Sequence, residues 1–429
     1  MKGSFRPWRR ALSGIFLSAG LAMPVFASDT ASVTLDEAIA IALSQNTQAR
    51  IAFEAIGERT AEARQAGLPP NPELGLEVEN VLGSGLYRGT EEADVTLGLT
   101  QRIETGGKRE NRKRLSRLSE AVAAAERDVV ERRLREAVTH AFNGLLAAQQ
   151  EAETTSAAAE RVRGLVPALR QRFERGASSE ADLNRGLLAL DLAEIRAGTK
   201  QAELRTAQQT LLALWSESAY RPLRAEGAFA VPATPLPGLD ELEAMLDSHP
   251  AVLGGQQTVS VRRAAFDLEK SNAYPDVTLG AGARHFAGTD ESAFLFSVSI
   301  PISVFDRNQG NIDAASSRVV QADLDARRTR VELARELQQS HQTYSSRCRE
   351  AERLGRSVVP TSAKTSAAIR EGYLAGRFGV LDLLDALQTS ADSRMQETEA
   401  LLACRNALAS IEILTGLSGK EEAAEGDAQ

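Results

Sequence analysis

The chain has 429 residues, with 58 acidic against 50 basic side chains and a formal net charge of −8. That balance argues against nucleic acid as a partner. Beyond the N-terminal segment there is no apolar run of the ~20 residues that a membrane-spanning helix needs, and the Ala, Leu, Glu, Gln and Arg content is that of long exposed helices, so any membrane crossing is left to strands.

Residues 1–27 read as a targeting segment. Lys2, Arg6, Arg9 and Arg10 form a positive start, Ala11 to Val25 an apolar core, and Val25-Phe26-Ala27 a cleavage site. The apolar run is shorter than the ~20 residues of a bilayer span, which weighs against an uncleaved anchor. The mature chain is expected to begin near Ser28; losing four positive charges takes the net charge from −8 to −12. No Cys follows the apolar core, so no lipid anchor is expected.

The first structural repeat is expected over 28–220. A Thr34-x-x-Glu37 capping box opens a helix that runs to the Pro69-Pro70 break. Strands follow over 72–82 and 92–104, where Leu74, Leu76 and Val78, then Val95, Leu97 and Leu99, alternate with polar or small residues around Gly83-Ser84-Gly85. Lys108 to about Arg175 reads as one long helix with Leu134, Val138, Ala141, Leu145 and Ala148 on a heptad-like stripe, kinked near Pro167. A return helix covers Ser179 to Trp215.

Residues 221–238 are rich in Pro and read as a linker, and 239–416 repeat the plan. A helix from Leu239 to Asn272 ends at Pro275, strands occupy 275–286 and 292–305 around Gly288-Thr289-Asp290, and a long helix from Gly310 to Glu371 is kinked at Pro360. The return helix runs from Val380 to Leu414, and 417–429 form an acidic tail expected to be disordered. A shift of 200 superposes Gly176, Asp182, Leu183, Leu187 and Leu214 on Gly376, Asp382, Leu383, Leu387 and Leu414, so the two halves are a duplication.

The expected fold is therefore mainly α with a transmembrane β-barrel. Each hairpin strand is close to the ~9–11 residues of a membrane strand, whereas two half-buried hairpins of a soluble domain are the alternative. Four strands cannot close a barrel and lipid does not tolerate open sheet edges. Oligomerisation follows, and three copies give twelve strands.

Several motifs carry a family resemblance: Asn71-Pro72-Glu73-Leu74 at the first strand, Gln101-Arg102-Ile103-Glu104-Thr105-Gly106-Gly107-Lys108-Arg109 after the second, and the two helical turns. With the duplicated plan, the mature chain resembles TolC-type outer-membrane efflux proteins, and the Asn-Pro-Glu-Leu and Thr-Gly-Gly-Lys-Arg stretches are similar to the cobalt-zinc-cadmium branch. Arg102 departs from the family's usual Pro, which the second half keeps as Pro301.

The resemblance implies a homotrimer with a twelve-stranded barrel in the outer membrane and an α-helical tunnel through the periplasm. Its implied partners are a periplasmic adaptor protein and an inner-membrane resistance-nodulation-division pump. It would be a passive duct, with heavy-metal cations as the leading cargo and organic compounds or secreted polypeptides as alternatives. A periplasmic coiled-coil scaffold is the reading from a different class. The family's acidic constriction maps onto Asp382-x-x-Asp385, two carboxylates on one helix face, although Asp382 also sits where a helix cap belongs. Gly176, Ala177 and Ser178 in one turn, and Gly376, Arg377 and Phe378 in the other, are the expected adaptor-docking tips. Phe378 stands where some relatives have a basic latch residue, the Arg here being Arg377.

No enzyme, cofactor or metal site is expected. Gly106-Gly107-Lys108-Arg109 lacks the spacing of a phosphate loop and reads as a strand-to-helix turn. His140, His249, His285 and His341 form no ligand pair at helical spacing. Cys348 and Cys404 each lie 28 residues from Gly376, so they come level in a hairpin folded about that glycine. Both a disulfide and two buried thiols remain open at this point, since bonding needs Cα atoms within ~7 Å.

Overall fold

The computed structural model describes residues 31–233 and 235–417, so the expected targeting segment and the acidic tail beyond Leu417 lie outside the described residues. The first half comprises β1 (Ala31–Val33), α1 (Leu35–Gln45), α2 (Thr47–Ala66), β2 (Glu73–Glu79), β3 (Asp94–Ile103), α3 (Lys108–Arg163), α4 (Val166–Glu174) and α5 (Glu180–Leu214). After β4 (Leu223–Ala225), the second half comprises α6 (Leu239–Met245), α7 (Pro250–Asn272), β5 (Val277–Phe286), β6 (Glu291–Ser299), α8 (Gln309–Arg353), α9 (Val359–Leu374) and α10 (Val380–Thr415). Among the described residues no helix is long and apolar enough to cross a membrane.

The Thr34 capping box forms, with Thr34 N donating to Glu37 Oε2 at 2.9 Å. The helix it opens is not continuous to Gly67. Asn46 ends α1 and starts α2, because its Oδ1 accepts from Gln48 N and Ala49 N while its Nδ2 donates to the Leu214 carbonyl at 2.8 Å. The helix expected from 239 to 272 is likewise split by a 3₁₀ turn at Leu246–Ser248, and α7 restarts with His249 as cap and Pro250 in its first turn.

Both long helices break just before their prolines, and they break differently. With 56 residues, α3 spans about 84 Å; it ends at Gly164, where Leu165 N donates to Val162 O in a tightened turn ahead of Pro167. Ahead of Pro360 the chain widens instead into a π turn over Leu354–Val358, with Val359 N donating to Leu354 O. Proline has no N–H to continue the ladder and crowds the preceding turn.

Leu134, Val138, Phe142, Leu145, Leu211, Leu212 and Trp215 form the largest core cluster, closed by Val33, Leu223 and Ala225 from the parallel β1–β4 pair. The segment expected as a linker is therefore partly a strap. Gln149 clamps Ala225 from both sides (2.7 and 3.1 Å), Gln208 donates to Leu223 O, and Arg405 Nη1 donates to Ala228 O at 2.8 Å.

Four strands form one antiparallel sheet in the order β2-β3-β5-β6. β2 ends at Glu79 instead of 82, where Asn80 and Leu82 take left-handed φ of 58° and 57°. β6 ends at Ser299 rather than 305: Ser299 already pairs with Thr278 at the start of β5, and Pro301 has no N–H for a ladder.

Candidate functional site: the strand face and the helical turns

The register aligns one apolar face across all four strands. Leu76, Leu97, Ala283 and Phe294 stand in one row and Leu74, Leu99, Ala281 and Phe296 in the next. These side chains face outward, Leu74 being 74% and Phe296 84% exposed, which is the reverse of a sheet that covers a core. The opposite face carries Glu77, Thr96 and Arg284 in one row, with Arg284 paired to Glu79 at 2.8 Å and donating to Thr96 Oγ1 at 2.8 Å. A greasy face, a charged opposite face and, among the described residues, unpaired edges at β2 and β6 are the requirements of a barrel wall completed by other strands.

The Thr-Gly-Gly-Lys-Arg stretch is the joint between sheet and helices. Gly106 and Gly107 take φ of 65° and 75°, and a Cβ on Gly106 would lie 2.8 Å from the Tyr274 ring. Lys108 Nζ meets Asp276 Oδ1 at 2.6 Å, Arg112 pairs with Glu104, and Arg109 Nε donates to Gly67 O at 2.6 Å. The motif thus ties β3 and α3 to the start of β5 and the end of α2, as a strand-to-helix turn.

At the far end the two turns share one construction. Gly176 (φ 67°) and Gly376 (φ 77°) reverse the chain, with Ala177 N donating to Arg172 O at 2.8 Å and Arg377 N to Gly372 O at 2.7 Å. Each return helix is then capped by its aspartate: Asp182 Oδ2 accepts from Ser179 Oγ at 2.9 Å, and Asp382 Oδ2 accepts from Gly379 N at 3.0 Å. Asp382 and Asp385 lie one turn apart and exposed, Asp382 engaged as a cap and Asp385 facing grooves beside α9 and α5.

Of the expected docking residues, Gly176, Ala177, Gly376, Arg377 and Phe378 are exposed. Ser178 is turned inward, its Oγ buried without a protein partner. The Phe378 ring folds back over Gly372, occupying the space a Cβ would need there.

Tyr373 is a tip residue to which sequence reasoning gave no role. It is 2% exposed, packed with Leu165 and Leu169 of the first hairpin, and burial pushes its phenol pKa up. Its repeat counterpart, Phe173, is 39% exposed. That difference, between residues of the same class at matching positions, is invisible to pattern and belongs to the packing of the hairpins on each other.

Among the histidines, His140 packs between helices, its Nε2 within 3.1 Å of Asn406 O and 3.3 Å of Ser410 Oγ. His249 is buried, and its Nδ1 accepts from Ala251 N at 3.1 Å. Burial and the nearby Arg132 and Arg133 lower its pKa to about 4. Among the described residues no three His, Cys, Asp or Glu side chains gather as a metal-holding group. Cys348 and Cys404 are joined by a disulfide, their Cα atoms 4.9 Å apart.

The cobalt-zinc-cadmium resistance protein CzcC of Cupriavidus metallidurans is 28% identical over 376 residues, 87% of this chain and 88% of the relative. The nickel-cobalt-cadmium resistance protein NccC of Alcaligenes xylosoxydans xylosoxydans is 31% identical over 330 residues, 71% of this chain and 68% of the relative. Among solved structures, CusC matches with a TM-score of 0.76 at 17% identity, covering 89% of this chain and 91% of its own. The CmeC outer membrane channel of Campylobacter jejuni matches with a TM-score of 0.77 at 14% identity, covering 89% of this chain and 85% of its own. The sequence profile described as outer membrane efflux protein matches residues 38–217 and 242–417, one stretch in each half. The chain therefore belongs to the outer membrane efflux protein family and is an outer-membrane efflux channel.

Proposed function

We propose that three copies of this chain form the outermost duct of a tripartite export assembly, and that its cargo is heavy-metal cations. The observation that carries the assembly is the four-stranded sheet with its apolar face outward and both edges unpaired. An unpaired edge in hydrocarbon costs several kcal/mol per backbone group, so other strands must cover it. Three-fold closure gives twelve strands and continues the helices as a tunnel.

In this reading the exposed turn residues around Gly176 and Gly376 meet the helical hairpins of a periplasmic adaptor, which links the duct to an inner-membrane pump of the resistance-nodulation-division class. The pump supplies the energy. Asp385, and Asp382 beyond its capping bond, would supply six carboxylates to the inner mouth and favour cations there. Likeness to relatives named for cobalt, zinc, nickel and cadmium resistance supports the cargo.

Deleting the gene and scoring growth tests the cargo. Tolerance of cobalt, zinc or cadmium should fall several-fold and return on complementation, with tolerance of dyes and detergents unchanged. Loss of tolerance to organic compounds alone would transfer the duct to a drug pump.

A further inference from the structure

The two long helices open on different chemistry. In residues 108–117, which begin α3, Lys108, Arg109, Arg112, Lys113, Arg114 and Arg117 are basic and only Glu110 is acidic. Residues 309–318, which begin α8, hold one basic side chain, Arg318, and one acidic, Asp313. The first turns of a helix carry the positive end of its dipole and favour acidic side chains, so six cations there oppose the helix they begin. The fold accounts for half of them: Lys108 pairs with Asp276, Arg112 with Glu104, and Arg114 stands 3.6 Å from Asp267.

Arg109, Lys113 and Arg117 remain, four residues apart along one side of α3. Arg109 donates through Nε to Gly67 O, Lys113 meets only its near neighbour Glu110, at 3.3 Å, and Arg117 has no hydrogen bond or ion pair among the described residues. Beside them stands an uncovered apolar side chain. Lys113 Cγ lies 3.6 Å from the Cβ position of Gly67, and the next residue, Leu68, is 55% exposed. The apolar face of the sheet ends close by: Ile103 closes β3 on the face of Leu97 and Leu99, five residues before Lys108, and Ile302, beyond β6, is 87% exposed. Arg102 lies on the opposite, polar face, in the row of Thr278 and Ser299, and takes no part.

We propose that Arg109, Lys113 and Arg117, together with Leu68, form a seat for anionic phospholipid headgroups of the leaflet that faces the periplasm. Helical side chains lean toward the N-terminus of their helix, here toward the sheet. The headgroup layer is about 5–8 Å deep, little more than one helical turn, so the three cations begin where the hydrocarbon ends. They meet the headgroup phosphates while Leu68 and Ile302 enter the acyl boundary, which sets the depth at which the channel stands. A free anion would use the cations and leave the leucine in water, whereas a lipid satisfies both. The seat goes beyond the duct reading and requires neither its trimer nor its cargo.

Full-length protein reconstituted in phosphatidylcholine vesicles with spin-labelled lipid tests the seat, because electron paramagnetic resonance separates lipid held at the protein surface from the free bilayer. Labelled phosphatidylglycerol should associate at least about fivefold more strongly than labelled phosphatidylcholine, the worth of one basic side chain at an anionic surface. The preference should shrink in about 0.5 M salt. Arg109→Gln, Lys113→Gln and Arg117→Gln together should abolish it. If that variant does not insert, Arg117→Gln alone, at a side chain that holds no other residue, should reduce the preference at least about twofold. No preference in the wild type, or an undiminished one in an inserted variant, overturns the seat. A preference erased by about 10 mM inorganic phosphate at constant ionic strength would give the cations to a free anion and overturn it equally.

Discussion

Arg172 and Tyr373 join the two hairpins at their turns: Arg172 donates from Nη1 to the Tyr373 carbonyl at 3.2 Å, and its guanidinium stands 5.0 Å from the ring centroid. The pair crosses from the first repeat to the second at the turn end of the helices. Any movement of one hairpin relative to the other must break it.

Arg172→Ala removes a charged hydrogen bond and a cation–π contact, together about 2 kcal/mol at a half-buried site. The expected result is more frequent channel opening in planar bilayers, by roughly tenfold for each 1.4 kcal/mol lost. Arg172→Lys should restore little, because an ammonium cannot both stack on the ring and reach the carbonyl in one geometry. Wild-type gating in the alanine variant would limit the pair to local packing.

His249 gives the fold an acid sensitivity whose sign follows from its depressed pKa. The folded protein holds it neutral down to about 4, by burial and the nearby Arg132 and Arg133, whereas an unfolded chain protonates it near the ordinary histidine value of 6.5. Its contribution is complete above pH 6.5, falls as pH drops through that value, and is gone by about 4. The whole effect is at most on the order of 3 kcal/mol. Thermal unfolding of wild type and His249→Asn, which keeps a capping oxygen, should diverge between pH 6.5 and pH 4, and parallel curves would show that this group does not titrate on unfolding.

The turns also separate charge from capping. Asp382→Asn keeps an oxygen for Gly379 N, so α10 should start as before, whereas Asp382→Ala should cost about 1 kcal/mol. Asp385 has no capping duty, and Asp385→Asn alone tests the field at the mouth. Weaker block by multivalent cations in Asp385→Asn is expected in single-channel recordings. Unchanged block there, and in the double asparagine variant, would leave Asp382 with its capping role alone and Asp385 with no part in a field at the mouth.

Much of this architecture was legible because its determinants are periodic. Alternation placed Leu74, Leu76, Leu97 and Leu99 on one face, and helical spacing placed Leu134, Val138 and Leu145 in the core. The departures come from single residues whose roles depend on distant partners. Asn46 breaks a helix while bonding Leu214, 168 positions away, and Leu223 and Ala225 become core once β1 pairs with β4. Ile300 and Ile302 continue the alternation of β6, yet no strand among the described residues pairs with them. For the tip, the repeat located the turn glycines and the positions of Asp182 and Asp382, whose bonds are local, and gave no role to Tyr373, whose contacts cross to the other hairpin.

Gly106→Ala tests the sheet-to-helix joint. The added methyl meets the Tyr274 ring at 2.8 Å and forces alanine to φ 65°, a combination worth about 1–3 kcal/mol of strain. The effect should appear as loss of assembled, detergent-resistant protein, with the helical signal of what remains unchanged. Gly107→Ala, at φ 75° but with open space around its Cβ position, should be the milder of the two. Equal effects would mean that backbone strain, not the Tyr274 contact, dominates.

The disulfide closes a covalent loop across the second hairpin. Cys348 and Cys404 are 56 positions apart, and in the chain-entropy account a loop of that size stabilises by about 4 kcal/mol, less any native strain. Both side chains are nearly buried, at 7% and 0% exposure, so reductant should act slowly on the assembled protein and quickly once the hairpin opens. Cys348→Ala with Cys404→Ala should lower the thermal midpoint, because α8 and α10 are then joined at that level by side-chain packing alone. Protease digestion without reductant, followed by mass spectrometry, checks the premise. A Cys348 peptide recovered alone and alkylated would show that the two thiols are free.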